Sequence, residues 1–172
     1  RSIRRYPIKG LAGESLTEIP IMPGQTIDGD RQYALQYRDR IPPSESGWRP
    51  KKYFLQSVHT SLCSEIQIQW QADTVSLRYR GQILNIARDP IDKEALTRWI
   101  AILDPSLGEF TVERLDSGFT DEPEAYLSLI NQSTVTAIAT ATATADHPAR
   151  YRSNILICGS PAFQELNWVG QT

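Results

Sequence analysis

EIQIQWQADTVSLRYRGQILNIA, residues 65–87, decides the fold class. Ile66, Ile68 and Trp70 alternate with Gln67 and Gln69; Val75, Leu77 and Tyr79 alternate with Ser76, Arg78 and Arg80. A period of two sends successive side chains to opposite faces, which suits a half-buried strand and not a helix. QILNIA supplies a third run, and the joins ADT and RGQ are short enough for hairpins. The segment predicts an antiparallel meander, and short strands at this spacing favour a barrel or a sandwich.

Working outward toward the N-terminus, RQYALQYR (31–38) predicts another strand, with Tyr33, Leu35 and Tyr37 on one face and Gln32, Ala34 and Gln36 on the other. IRRYPIKG (3–10) reads as a brief extended run in which Pro7, lacking an N–H, allows only an edge or a strand end. SLTEIPI (15–21) alternates as a half-buried strand does, and MPGQTIDGD (22–30) is a turn cluster. DRIPPSESGWRPK (39–51) predicts an exposed polar loop.

Toward the C-terminus, PIDKEALTRWIAIL (90–103) is the clearest helix: Asp92 as N-cap, Leu96, Trp99, Ile100 and Leu103 at helical spacing, and Pro105 as the stop. GEFTVERL (108–115) predicts a strand, and the polar, acidic DSGFTDEPEA (116–125) a boundary loop. After it, a helix can start at Ser133, but the Ala/Thr repeat that follows leaves helix and strand both open. RYRSNILICGSPAFQELNW (150–168) places Arg150, Arg152 and Asn154 before four apolar residues and Gly159, which predicts a basic edge feeding a buried strand.

The 172 residues suffice for one domain, or for one and part of another, with a core that needs no staples. The net charge of −2 gives no global pull toward nucleic acid or anionic membrane; the N-terminal RSIRR is the local exception. Two cysteines, Cys63 and Cys158, are too few for a disulfide scaffold, which points to a reduced, cytoplasmic protein. His59 and His147 lack neighbours at ligand spacing, so an ordinary zinc site is not expected. No apolar run reaches a membrane span, and RSIRRYPIKG lacks the apolar stretch of a signal peptide. Arg1 in place of Met suggests that the natural start lies elsewhere.

Walker, G-x-G-x-x-G and G-x-S-x-G patterns are all missing, and DEPE reads as a solvated loop. The cations Lys9, Arg31 and Arg152 each sit at the mouth of a β-element. If those mouths converge they form a phosphate pocket, with arginine gripping through paired hydrogen bonds and lysine acting as a point charge; otherwise each is a surface cation. Cys158 is either a small buried hydrophobe or, with cations nearby, a thiolate suited to a soft metal or to sulfur transfer. Cys63 reads as structural.

Four stretches in order, YPIKGLAGESL, DGDRQYAL, DEPEAYLSLINQSTV and RYRSNILICGSPAFQELNW, resemble the MOSC family, named for the C-terminus of molybdenum cofactor sulfurase, together with its N-terminal domain. The resemblance spans nearly the whole chain and extends to amidoxime-reducing components. It implies a mainly β (α+β) protein: an N-terminal-type β-barrel with one or two helices over residues 1–120, then an incomplete MOSC barrel over 121–172. It implies a molybdopterin cofactor, with Lys9, Asp30 and Arg31, Ser133, Arg152 and Asn154 as the family's anchoring residues, Ser153 standing where the family has proline. Pyridoxal phosphate binding is a further association of the family. Cys158 is then the candidate catalytic thiolate, two residues before Ser160, which stands where the family has its metal-binding cysteine. The implied activity is reduction of N-oxygenated substrates with electrons from a donor protein. The alternatives are a non-catalytic binding or sulfur-carrier module, or a structural N-terminal domain of a larger protein.

Overall fold

The computed structural model describes residues 1–40, 47–124 and 126–170. The expected polar loop over 39–51 falls partly, at 41–46, outside the described residues, as does Ala125 of the acidic loop. Pro7 splits the first extended run into β1 (Ser2–Arg5) and β2 (Ile8–Lys9), as a residue with no ladder donor should. The alternating 15–21 segment yields only β3 (Glu14–Leu16): Pro20 cannot donate, and Ile21 lies exposed with no core face to cover. β4 (Tyr33–Tyr37) buries both faces, Tyr33, Leu35 and Tyr37 in the main core and Ala34 against Phe54 and Phe119.

A short helix, α1 (Leu62–Glu65), precedes the meander, which forms as the period of two requires: β5 (Gln67–Trp70), β6 (Thr74–Tyr79) and β7 (Gln82–Ala87), antiparallel throughout. α2 (Lys93–Leu103) starts where Asp92 accepts the Ala95 N–H at 2.9 Å and buries Leu96, Trp99 and Ile100. It is followed by β8 (Phe110–Arg114), which pairs antiparallel with β4. β9 (Leu129–Asn131), α3 (Gln132–Ala141) and β10 (Ile155–Ile157) then make a β-α-β unit whose two strands run parallel.

α3 takes in only the start of the Ala/Thr repeat and ends at Ala141, with residues 142–147 in a turn and irregular chain beyond it. Thr136 donates to Gln132 O at 3.1 Å, Thr140 to Thr136 O at 2.8 Å and Thr142 to Ile138 O at 2.8 Å, so side chains that otherwise compete with the helix are satisfied within it. β10 is half-buried along its length, not the fully buried strand its apolar run suggested.

The protein is α+β and mostly sheet: β3-β1-β10-β9, β2-β4-β8 and β5-β6-β7. Among the described residues none of these sheets closes into a barrel. The chain forms two compact units. The larger comprises Arg5–Glu14 and Ile21–Tyr126; the smaller comprises Arg1–Arg4, Ser15–Pro20 and Leu127–Thr172. In the larger, one core gathers Ile8, Leu35, Val75, Leu77, Leu96, Ile100 and Val112. Among the described residues no helix is long and apolar enough to cross a membrane.

Candidate anion-binding site

In the larger unit three separate segments meet around Lys9. β2 is an edge strand pairing parallel to β4, which carries Lys9 inward until it is only 5% exposed. A buried ammonium must find acceptors, and this one does. Lys9 Nζ donates to Phe119 O at 2.8 Å, to Asp121 Oδ1 at 3.0 Å and to Thr120 O at 3.4 Å. Gly10 turns the chain away with φ +90; a Cβ there would stand 2.3 Å from Leu55 O.

Arg31 enters from the turn before β4 with a left-handed backbone, φ 54. Backbone bonds hold it from both sides: its N–H donates to Tyr6 O at 2.7 Å, and Phe119 N–H donates to its carbonyl at 2.8 Å. Asp30, almost fully buried, accepts the Tyr6 N–H at 2.7 Å with one oxygen and pairs with the Arg31 guanidinium through the other. The guanidinium carbon also lies 4.9 Å from the centre of the Tyr6 ring. Gly118 lets the third segment approach: a Cβ at that position would come 2.6 Å from Asp30 O. Beyond it, the Phe119 ring packs on Phe54, and Trp48 Nε1 donates to Thr120 O at 3.0 Å.

The product is a knot of cations around one carboxylate. Asp121 is 73% exposed at its side chain, yet its carboxylate faces Lys9, with Lys51 and Arg31 close enough to act on its charge. Partial burial pushes the Asp121 carboxyl up, but the Lys9 hydrogen bond and the charges of Lys9, Lys51 and Arg31 outweigh it and hold the carboxyl below its ordinary value. The sequence pattern pointed to Lys9 and Arg31, the family resemblance added Asp30, and both missed Lys51 and Asp121. Lys9 and Asp121 are 112 positions apart, and no spacing signal connects them.

The smaller unit holds the other candidates at two ends of one strand pair. β9 and β10 align Ile157 with Asn131, so Ser133 and Cys158 leave at the carboxyl ends, whereas Arg152 and Asn154 precede β10 at the amino end. From Asn154 to Cys158 an extended chain spans about 13 Å. Asn154 is buried as a structural tie: Oδ1 accepts from Ser128 N at 3.2 Å and Ser128 Oγ at 2.9 Å, and Nδ2 donates to Arg4 O at 3.2 Å. Arg152 has φ 51 at the end of a 3-10 turn, Pro148–Tyr151.

Ser133 lies in the first turn of α3, where Asn131 is the N-cap and accepts its N–H at 3.2 Å. The Glu165 carboxylate occupies that helix start, accepting from Asn131 N at 3.4 Å. Burial pushes the Glu165 carboxyl up, and bonds from Thr134 and the Asn131 backbone bring it below its ordinary value. Cys158 is exposed and Cys63 fully buried; neither is in a disulfide. The reading of Cys158 as a buried hydrophobe therefore fails, and Cys63 is the one packed in the core. Among the described residues no group of three or more His, Cys, Asp or Glu could hold a metal ion.

Comparison with family models, with curated proteins and with solved structures found no match. The site is therefore argued from its own chemistry. A phosphate-bearing pterin asks for cations that can be reached; Lys51 is exposed, whereas Lys9 and Arg31 are mostly buried beside the exposed Asp121 carboxylate. For a soft metal, Cys158 is the thiol of the right exposure.

Proposed function

We propose that this chain is the cofactor-anchoring part of a MOSC-type protein, holding the phosphate of molybdopterin on the larger unit. One observation carries the proposal: Lys9 and Arg31, both marked by the family resemblance, act together with Lys51 on a single exposed carboxylate. Cations gathered around a carboxylate have the character that a phosphate needs. In this reading the fold is the family's barrel type. Asn154 ties strands together within the smaller unit, and the larger unit alone supplies the anchoring cations. When bound, the cofactor supplies the redox chemistry, reduction of N-oxygenated substrates, while the chain anchors and orients it and a donor protein delivers electrons. Two free cysteines suit a reducing, cytoplasmic setting.

A purely structural role is the second reading. The spending of the Lys9 ammonium and the Asn154 amide on internal partners favours it.

The test is the pterin and molybdenum content of the chain purified from a host that makes the cofactor. The expected result is stoichiometric pterin, lost in Lys51→Ala. Lys51 is exposed, so the control removes a cation without leaving a buried carboxylate short of its countercharge. Wild-type protein free of both pterin and metal would leave the structural reading standing.

A further inference from the structure

The β5-β6-β7 sheet leaves one edge open. We infer that the free edge of β7 is a docking surface for a second copy of this chain, the two β7 strands pairing antiparallel about a two-fold axis at Asn85. The inference is independent of the anion-binding reading above.

The phase of the hydrogen bonds is the first support. β6 and β7 pair in an unbroken register from Thr74 with Ala87 to Tyr79 with Gln82, and beyond it the Arg88 N–H donates to Asp73 O at 3.0 Å. Bonded and non-bonded pairs alternate along an antiparallel ladder, so Gln82, Leu84, Ile86 and Arg88 turn their main-chain groups toward β6. The turn agrees: Arg80 and Gly81, with φ 43 and φ 85, form a two-residue loop that closes on the bonded pair Tyr79 and Gln82. The N–H and C=O groups of Ile83, Asn85 and Ala87 therefore point away from the sheet. Among the described residues those groups have no hydrogen-bond partner, and all three residues are exposed.

The edge is also unguarded. Edge strands are commonly blunted by charge, proline or a covering group. At the opposite edge of this sheet, Glu14 Oε2 accepts the outward Trp70 N–H at 3.0 Å. β7 is QILNIA, with neither charge nor proline, and Ile83 is 56% exposed. A second copy fits because the free groups are self-complementary. With Asn85 facing the copy's Asn85, Ile83 faces the copy's Ala87 and Ala87 its Ile83, and each of these facing pairs exchanges two main-chain bonds. On the other face the half-buried Leu84 meets the copy's Ile86. Charge favours the same register: the hairpin end with Arg80 lies beside the copy's Asp89, and both side chains are more than half exposed. One strand pair buries less than the roughly 1,000 Å² expected of a stable interface, which makes the dimer weak and reversible.

The test is sedimentation velocity of the full chain over a concentration series, with amide exchange followed on the same samples. Wild type should pass from monomer to dimer as concentration rises, and the amides of Ile83, Asn85 and Ala87 should gain protection in step. Asn85→Lys and Asn85→Asp each set like charges opposite one another at the axis, at an exposed position that folding does not need, and each should associate about fivefold more weakly. Mixed in equal amounts, the two variants should recover the dimer as a heterodimer, since opposite charges then face each other. Gln69→Lys, exposed on the same sheet face but on β5, should dimerise as wild type does. A wild type that stays monomeric throughout the series overturns the inference, whatever else then binds the edge. So does a dimer that neither Asn85 variant weakens, or one that mixing the two variants does not restore.

Discussion

Asn154→Ala separates a strand tie from a cofactor ligand. The amide makes three bonds within the smaller unit, two from Ser128 and one to Arg4 O, and the residue is 1% exposed. Deleting it removes three bonds of about 1 kcal/mol each and leaves Arg4 O without its side-chain donor. Ser128 is exposed, so water recovers part of the loss, and the net cost is about 2–3 kcal/mol. At roughly 2–4 °C per kcal/mol for a chain of this size, Tm falls by about 5–10 °C. Asn154→Asp adds a sign. It keeps the acceptor toward Ser128 but sets a carboxylate oxygen against Arg4 O, so the folded state favours the protonated acid and its folded pKa is raised. The deficit is therefore present at neutral pH and shrinks as pH falls through that raised value. The assay is urea denaturation of cofactor-free protein, with amide exchange at Ser128 as the local reading. A loss under about 0.5 kcal/mol with Ser128 protection intact would refute the tie. A loss seen only with cofactor present would make Asn154 a ligand.

Other predictions concern single residues. Gly10→Ala drives a Cβ into Leu55 O at a positive φ and should cost more than about 3 kcal/mol, seen as a collapse of Tm or of soluble yield. Asp92→Ala removes the α2 cap and should cost about 1 kcal/mol by urea denaturation. Because the Asp121 carboxyl is held below its ordinary value, its contribution is present at neutral pH and is lost as pH falls through that lowered value; Asp121→Asn should flatten the acid limb of the stability profile. A thiol reagent should modify Cys158 in the native protein and reach Cys63 only after unfolding.

The parts of the fold legible in the sequence are those whose information is local. The 65–87 meander and α2 carry a period and a cap, and both form where the pattern places them. SLTEIPI misleads because alternation promises a strand only if a sheet edge and a core await it, and Ile21 meets neither. The Ala/Thr repeat is ambiguous by propensity, and the structure divides it: α3 ends at Ala141 and the rest of the repeat is not helical. At the candidate site, Lys9 and Asp30–Arg31 could be read because each is bound into a turn or strand mouth of its own. Asp121 could not, since its significance lies wholly in a contact with a lysine far away in the chain. The division of Ser133 and Cys158 from Arg152 and Asn154 follows from the parallel register of β9 and β10, which the sequence does not display.

The left-handed backbone at Arg31 bears on where a functional signal should be sought. A non-glycine residue in that region costs about 1–2 kcal/mol, and glycine would avoid the cost. Yet Asp30 is 1% exposed and already fixed by Tyr6, so a glycine at 31 would leave a buried carboxylate short of its countercharge. That penalty exceeds the strain, because an uncompensated buried charge costs about 3–5 kcal/mol. The strained arginine and the buried aspartate thus account for each other on stability alone. No comparable argument covers Asp121. Its carboxylate is mostly exposed, water could solvate it, and Lys9 retains two main-chain acceptors without it. An exposed acid paired with a buried ammonium, which stability requires less than the Asp30–Arg31 pair, is the feature that ligand binding explains best, so Asp121, and not the strained arginine, is the residue on which the functional reading turns.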